Sequence, residues 1–253
     1  MLPTKGALRV WRRDFESWKR YAPSFVVVAI GEPLLYLLGI GYGLGQFVSD
    51  IGGVPYAVFL APGIIASSAM YSASFETTFS SFTRMTEQNT YAAILATPCS
   101  VADIVAGDIV WAATKSVFSA VFVLLVTALF GLLPSPFAVA LVPVGFLIGV
   151  MFGSLGMVVT GRSPSYDFFN YYFTLGISLM FLFSGIFFPL DVLPAWGRTI
   201  AWMLPLTHAV HVCRAFAAGT PGLYLLGNFA WMILVTVVAF VVAERLVRRR
   251  LVA

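Results

Sequence analysis

Charge is what this sequence has least of. Only 10% of its 253 residues are Asp, Glu, Lys or Arg, against ~25% in a soluble globular domain. With 60% hydrophobic residues and a mean hydropathy of +0.92, that shortage excludes a water-soluble domain and indicates a polytopic membrane protein. Apolar and polar residues do not alternate within the long apolar runs, which excludes barrel strands and leaves helices whose backbone groups pair within the segment. Cysteine is limited to Cys99 and Cys213. The topology below places them on opposite faces, so they form no intrachain disulfide, and no ligand spacing around them marks a metal site. There is no His-Glu-x-x-His motif and no phosphate-binding loop; the one Lys-Ser pair, Lys115-Ser116, follows Ala113 and Thr114. Nucleotide hydrolysis by that route is excluded. Also missing are an intramembrane carboxylate cluster, an internal repeat and a charged or carbonyl filter, which argues against proton-coupled carriers and channels.

What is present is a series of six apolar segments, at 22–48, 54–82, 104–133, 137–160, 167–189 and 223–243. Each is long enough to cross a bilayer at ~1.5 Å per residue. The net charge of +4 is not a nucleic-acid footprint, because the Lys and Arg residues sit beside hydrophobic segments. Both ends are basic, so both termini are expected in the cytoplasm and the number of crossings must be even. Twelve of the fifteen basic residues then face inward, Lys115 lies within a span, and Arg198 and Arg214 lie outside. The outer connections Ser49 to Gly53 and Leu133 to Phe137 carry no Lys or Arg.

Residues 1–21 hold Lys5, Arg9, Arg12, Arg13, Lys19 and Arg20, with Leu8, Trp11, Phe15 and Trp18 at helical spacing. The pattern predicts an interfacial helix lying on the inner leaflet; the plainer alternative is a basic tail that only sets orientation. No small-residue cleavage site follows, so a signal peptide is not expected. The last outer connection, 186–222, is too apolar for a solvated loop and is broken by Pro189, Pro194, Pro205 and Pro221. Short helices that dip into the outer leaflet and return are expected there, covered by protein or lining water.

The charged stretch from Arg84 to Asp108 stands out between two apolar runs. Within it Tyr91, Ile94 and Leu95 recur at helical spacing and Pro98 ends the turn. A short helix across the ends of two spans is predicted, on a surface suited to docking a soluble motor.

Glu32, Glu76, Asp108 and Lys115 fall inside apolar segments, where a central charge costs ~2.5–3.5 kcal/mol. Glu32 precedes Pro33; it either lies on a substrate or gating path or pairs with Lys115, Arg84 or backbone. Asp108 and Lys115 are seven residues apart, roughly 10 Å along one helical face, too far to bond each other. Each needs a partner on another helix. Gly145, Gly149, Gly153 and Gly156 form a stripe for close helix packing, whereas Gly39, Gly41, Gly43 and Gly45 mark a loosened outer end of the first span. Aromatics crowd 168–188, among them Tyr172, Phe181, Phe187 and Phe188. They form either a stacking path for sugar faces or an interfacial belt with core packing. An intramembrane serine protease using Ser154 with His208 or His211 is disfavoured, because that topology puts nucleophile and base at opposite ends of the bilayer.

Several stretches form a recognisable set: VWRRDFESWKR, EPLLYLLGIGYGLG, FLAPGIIASSAMYSASFE, ATPCSVADIVAGDIVWAATKS, PSYDFFNYYFTL, LFSGIFFPLDVLP and LPLTHAVHVCR. The last places Pro205, Leu206, His208 and Arg214 in the family's pattern. The chain resembles the type-2 ABC exporter permeases, and within them the NodJ branch that serves lipo-chitooligosaccharide export. The resemblance implies an all-α membrane protein of one transmembrane domain, 1–253, with six transmembrane helices, an N-terminal interfacial helix, a short cytoplasmic coupling helix and extracytoplasmic re-entrant helices before the last span. It implies a homodimer in the cytoplasmic (inner) membrane, paired with two copies of a NodI-like ABC ATPase. That partner binds the Mg-ATP, and this chain needs no cofactor. The coupling loop, 84–103, would contact the ATPase through Glu87, Gln88, Asn89, Thr90, Tyr91, Ile94, Leu95 and Thr97. The interfacial helix, with Arg9, Trp11, Arg12, Arg13 and Trp18, would contact it as well. Glu32, Glu76, Tyr172, Phe181, Phe187, Phe188, His208 and Arg214 are candidates for the substrate path or gate, with His208 and Arg214 equally suited to a structural clamp. The expected function is outward movement of an amphipathic or lipid-linked substrate by alternating access. The alternative from another class is a scaffold or signalling subunit that uses the same ATPase without carrying cargo.

Overall fold

Apolar segments that leave water must pair their own backbone groups, and the chain does this with helices throughout. The computed structural model describes residues 3–48 and 50–252, and no strand forms among the described residues. Ser49, which opens the first expected outer connection, lies outside them, as do Met1 and Leu2 of the expected interfacial segment.

Helix α1 spans Gly6–Trp18. Helix α2, Ala22–Tyr36, runs on through a π-helical stretch, Leu37–Gly43, and a 3-10 turn, Leu44–Gln46. The wide turn falls on the glycine run read as a loosened end. Helix α3, Tyr56–Phe75, passes through a second π stretch, Glu76–Ser80, into α4, Ser81–Thr86. The short α5, Thr90–Leu95, follows a left-handed Asn89 at φ 51°. Helix α6, Val101–Leu129, opens with a capping box in which the Ser100 hydroxyl and the Asp103 carboxylate each satisfy the other's backbone N–H. A 3-10 turn, Pro136–Ala140, leads into α7, Leu141–Arg162. Then come α8, Asp167–Tyr171, a third π stretch, Tyr172–Ile177, and α9, Ser178–Phe183. Helices α10, Ala195–Met203, and α11, Pro205–Ala217, precede α12, Leu226–Leu251.

Five helical runs are long and apolar enough to cross a membrane: Ala22–Gln46, Tyr56–Thr86, Val101–Leu129, Pro136–Arg162 and Leu223–Leu251. The expected span at 167–189 is not among them. Its helix stops at Phe183, because Gly185 takes φ +78°, a left-handed conformation that ends a helix. The segment nevertheless runs antiparallel to the α3–α4 rod along its whole length. The Tyr166 hydroxyl lies 2.7 Å from Thr83 Oγ1 at one end, and Tyr56 Oη donates to the Phe187 carbonyl at 3.0 Å at the other.

The centre is built by α3, α6 and α7, with α12 packed on α7. Small residues allow the approach. A Cβ placed on Gly149 would lie 2.6 Å from the Ala113 Cα, and one on Gly145 would lie 2.9 Å from the Ala120 methyl. The helix α1 lies lengthwise on the first turns of α6, anchored by Thr4, whose backbone N–H and hydroxyl both donate to Asp103 Oδ1 at 2.5 and 2.8 Å. Its buried face is not centred on the predicted residues. Leu8 is exposed, whereas Gly6, Val10 and Asp14 are buried and Trp11, Phe15 and Trp18 are half-buried. Contact with α6 requires a small residue at Gly6 and at Gly107, where Val10 packs, and this turns the helix away from the purely apolar stripe.

Gly149→Val is expected to lower stability by about 1–3 kcal/mol through overpacking. Gly153→Ala, whose Cβ would find its nearest neighbour at 3.5 Å, is expected to be neutral or stabilising. Apparent Tm in detergent micelles separates the two; equal losses would show that the stripe is not a packing surface.

Candidate functional site

Two helices can share a buried charge only if their turns bring the partners to one face. Glu76 and Arg84 are eight residues apart, which in regular helix leaves them roughly 80° apart. The π stretch at Glu76–Ser80 absorbs about one residue and brings them nearly into line. Glu76, fully buried, accepts from Arg84 at 2.8 Å on one oxygen and from Lys115 of α6 at 2.8 Å on the other. Arg84 continues the chain to Asp108 Oδ2 at 3.1 Å and approaches Asp14 of α1 at 3.8 Å. Ser81 Oγ donates to the same Asp108 oxygen at 2.7 Å, and so does Tyr91 Oη of α5. Asp108 and Lys115 therefore each find a partner on another helix. The network joins α1, the α3–α4 rod, α5 and α6.

Asp14 is the member that sequence reading missed. It sits among arginines on an amphipathic helix, and only its contact with Arg84 shows that it faces inward. Burial holds its carboxyl up to about 7, against the pull of Arg84. Burial, reinforced by the charge of Asp108, likewise raises the Tyr91 phenol well above its ordinary value, so the hydroxyl stays a donor.

Next to the network lies a cavity of about 550 Å³. Helix α2 contributes Phe25, Glu32 and Tyr36; α3 contributes Ser67, Ser68, Tyr71 and Phe75; Lys115, Ser119, Phe173 and Phe181 complete the wall. Ser67 and Ser68 donate to the Ile64 and Ile65 carbonyls of their own helix at 3.0 and 3.1 Å, which lets hydroxyls line a largely apolar space. The rings of Tyr36, Tyr71 and Phe187 meet Phe181 edge-on. Of the candidate path residues, Glu32 and Phe181 face this cavity and Glu76 stands behind Lys115. Tyr172 is turned to Ser74, 3.2 Å from its hydroxyl, and Phe188 is half-buried outside the lining. Glu32 does not take up the pairing open to it in the sequence: Lys115 and Arg84 both bind Glu76, and Glu32 forms no ion pair among the described residues.

His208 and Arg214 are not brought to the cavity. Arg214 donates to the carbonyls of Phe59 at 3.3 Å and Gly185 at 2.9 Å and stacks on the Phe59 ring at 3.9 Å. His208 Nε2 lies 2.8 Å from the Trp202 carbonyl, so this nitrogen carries a proton, and Nδ1 meets the Asn228 amide at 2.9 Å. Both side chains clamp α11 to its neighbours at the end remote from α5. Ser154 bonds the Val150 carbonyl of its own helix at 2.7 Å and meets neither histidine. Cys99 and Cys213 are both free thiols.

The expected coupling segment divides into two faces. Tyr91 is fully buried and points inward, and Ile94 and Leu95 are half-buried against the same cluster. Tyr91 is therefore an internal anchor of α5. Glu87, Gln88 and Asn89 stay exposed, with Thr90 half-buried, Thr97 exposed, and Ala92, Ala93 and Ala96 forming the rest of the open face. On α1, Arg9 and Arg12 are exposed, Arg13 bonds Asp14, and Trp11 donates from Nε1 to Thr114 Oγ1 at 3.0 Å. Trp18 stacks on Phe118.

The ABC-2 type transporter family model covers residues 7–218. The chain belongs to the ABC-2 type transporter family. This permease is 40% identical over 244 residues to Nodulation protein J of Rhizobium leguminosarum bv. trifolii, covering 96% of this chain and 93% of that protein. It is 38% identical over 252 residues to Nodulation protein J of Rhizobium meliloti, covering 99% and 96%. A more distant relative, Inner membrane transport permease YadH of Escherichia coli, is 22% identical over 246 residues, covering 95% and 93%. With its apolar helices, the permease is a multi-pass membrane protein and a transport subunit.

Two substitutions test the network. Glu76→Gln strips one partner from two buried cations at once and is expected to cost about 3–5 kcal/mol; Lys115→Met leaves Glu76 its bond to Arg84 and should cost clearly less. Apparent Tm of the purified variants decides the order, and the reverse order would refute the shared-carboxylate arrangement. Asp14 supplies a pH signature. Its folded value lies above its ordinary 3.8, so between about pH 4 and 7 the folded permease holds more protons than the unfolded chain and loses stability as pH rises. Asp14→Asn removes that titration. The variant should therefore gain on the wild type in Tm between pH 5 and pH 8, whereas a gap unchanged with pH would contradict a raised carboxyl.

Proposed function

We propose that this permease is the membrane half of an exporter that moves an amphipathic, lipid-linked substrate such as a lipo-oligosaccharide outward by alternating access. A separate, NodI-like ABC ATPase supplies the stroke. Two permeases and two ATPase copies form the working unit in the inner membrane. Six crossings with both termini cytoplasmic agree with the basic ends and with the path of 167–187 along the full length of the α3–α4 rod. Helices α10 and α11 then act as the re-entrant roof on the outer side, and α1 and α5 lie on the cytoplasmic side.

One observation carries the reading: Tyr91 of α5 and Lys115 of the cavity wall are joined through Asp108, Arg84 and Glu76. A push on the exposed face of α5 reaches the cavity through contacts that are buried and charge-assisted, and therefore stiff. The three π stretches fall in the helical runs of α2, the α3–α4 rod and α8–α9, which wall the cavity. Wide turns of this kind lend themselves to rearrangement.

Ala93→Glu places a charge on the open face of α5 without disturbing the core. In vesicles reconstituted with the ATPase, it is expected to reduce ATP-driven export at least about tenfold, the equivalent of ~1.4 kcal/mol at the contact. Tm should stay within about 0.5 kcal/mol of wild type, as for surface changes generally. Undiminished export would mean that α5 does not receive the stroke.

A further inference from the structure

The chain has two histidines, and the fold brings both to a single amide. His208 and His211 lie about one turn apart on α11, and Asn228, buried in the first turn of α12, reaches between them. Its Oδ1 meets His208 Nδ1 at 2.9 Å and its Nδ2 meets His211 Nδ1 at 3.3 Å. On the other side of its ring, His208 Nε2 donates to the Trp202 carbonyl of α10 at 2.8 Å. The indoles of Trp202 and Trp231 lie 5.4 and 5.5 Å from the His208 ring, and Trp202 and Tyr224 lie 5.5 and 6.0 Å from that of His211. Both imidazoles are half-buried, enclosed by aromatic rings yet within reach of protons from solvent.

An amide has one oxygen that accepts and one nitrogen that donates, and this asymmetry limits how many protons the three groups can hold. With Nε2 committed as a donor, a neutral His208 offers a lone pair at Nδ1 and needs the Asn228 NH2. The amide oxygen then faces His211, whose proton must sit on Nδ1. When His208 takes up a proton, its Nδ1 becomes a donor and needs the amide oxygen instead. The NH2 is then turned to His211, whose Nδ1 must be bare, so that the His211 proton leaves Nδ1 for solvent and another is taken at Nε2. With a second proton both Nδ1 atoms would donate, and the amide has one oxygen between them. The amide as it stands, with Oδ1 toward His208, fits the singly protonated state; turned by about 180° it fits the neutral one.

The surroundings place the charge on His208. Burial lowers His211 below the ordinary histidine value, and the charge of Arg214, on the next turn of α11, adds to this. His208 has an acceptor for each of its two N–H groups, which favours the charged form. The other elements around the pair present Trp202 from α10, Trp231 and Asn228 from α12, and the Tyr224 phenol from the 3-10 turn Leu223–Leu225. Asp191, the one carboxylate of residues 186–222, is exposed and pairs with Arg198.

We propose that His208, Asn228 and His211 form a one-proton site at the junction of α10, α11 and α12, in which proton uptake by His208 turns the Asn228 amide and moves the His211 proton from Nδ1 to Nε2. Both His208 hydrogen bonds are charge-assisted in the protonated state. The topology proposed above puts this site toward the outer medium, but its chemistry is independent of the exporter reading.

Nitrogen-15 NMR of histidine-labelled permease in lipid nanodiscs, titrated across the range in which histidine ordinarily changes charge, about pH 8 to about pH 5, tests this. His208→Gln and His211→Gln each leave one histidine and so assign the two rings. Wild type is expected to show His208 gaining its second proton and His211 exchanging Nδ1–H for Nε2–H at one shared midpoint, with His211 never charged. Asn228→Asp, whose carboxylate accepts from both rings, should let both charge and abolish the tautomer exchange. Asn228→Leu, apolar and of similar size, should leave the His211 tautomer independent of His208 and lower the proton affinity of His208 about tenfold, through loss of its acceptor. A His211 tautomer that stays fixed while His208 titrates in wild type, two charged rings, or no titration would overturn the site. So would a shared midpoint that survives Asn228→Leu.

Discussion

Two cations share one carboxylate in the interior of this permease, and the rest of the arrangement hangs on that sharing. Glu76 is cut off from water, and its charge is tolerable only because Arg84 and Lys115 each hold one of its oxygens. Removing a single partner from such a set leaves an uncompensated charge in an apolar surrounding, which costs far more than the pair gains over an apolar substitute. The geometry is therefore constrained from several sides. The π stretch must stay wide, α6 must keep its register against the α3–α4 rod, and Asp108 must remain beside Arg84.

From this constraint follows the placing of the surface elements. Helix α5 is only six residues long, too short to be stable by itself, and it holds its place because Tyr91 is plugged into the network. Helix α1 is amphipathic and basic, yet its seat is fixed by Asp14 near Arg84 and by Thr4 on Asp103. Helices α1 and α5 are thus tied to the interior by charge-assisted hydrogen bonds, while the rest of the bundle is held by small-residue packing of α6 on α7. The two kinds of cohesion differ in how they yield. Packed stripes resist sliding through sterics, whereas a polar network can exchange partners between discrete arrangements.

The cavity shows how hydroxyls are used in an apolar wall. Ser67 and Ser68 satisfy themselves on their own helix, which leaves Glu32 and Lys115 as the charged groups of a largely apolar wall. At the far end His208 and Arg214, which as sequence residues were equally suited to ligand contact, spend their hydrogen bonds on backbone carbonyls and Asn228 and hold α11 in place.

Much of the architecture was legible in the residues. Hydropathy gave five of the helical runs nearly to their ends, because burial of ~20 apolar residues leaves few other choices. The glycine stripe, the short helix after Asn89 and the need of Asp108 and Lys115 for partners on other helices were also readable, since helical spacing fixes which residues share a face. What the chain's order of residues did not disclose were the partners themselves. That Lys115 would take Glu76 and leave Glu32 at the cavity wall, that Tyr91 would turn inward, that α1 would bury Asp14 and expose Leu8, and that Gly185 would cut the fifth segment short were decided by tertiary structure. For the buried charges and the phenol the physical reason is one: each bonds whichever group another helix brings within reach, and that reach depends on helix register and on the π turn at Glu76–Ser80, which no local pattern encodes.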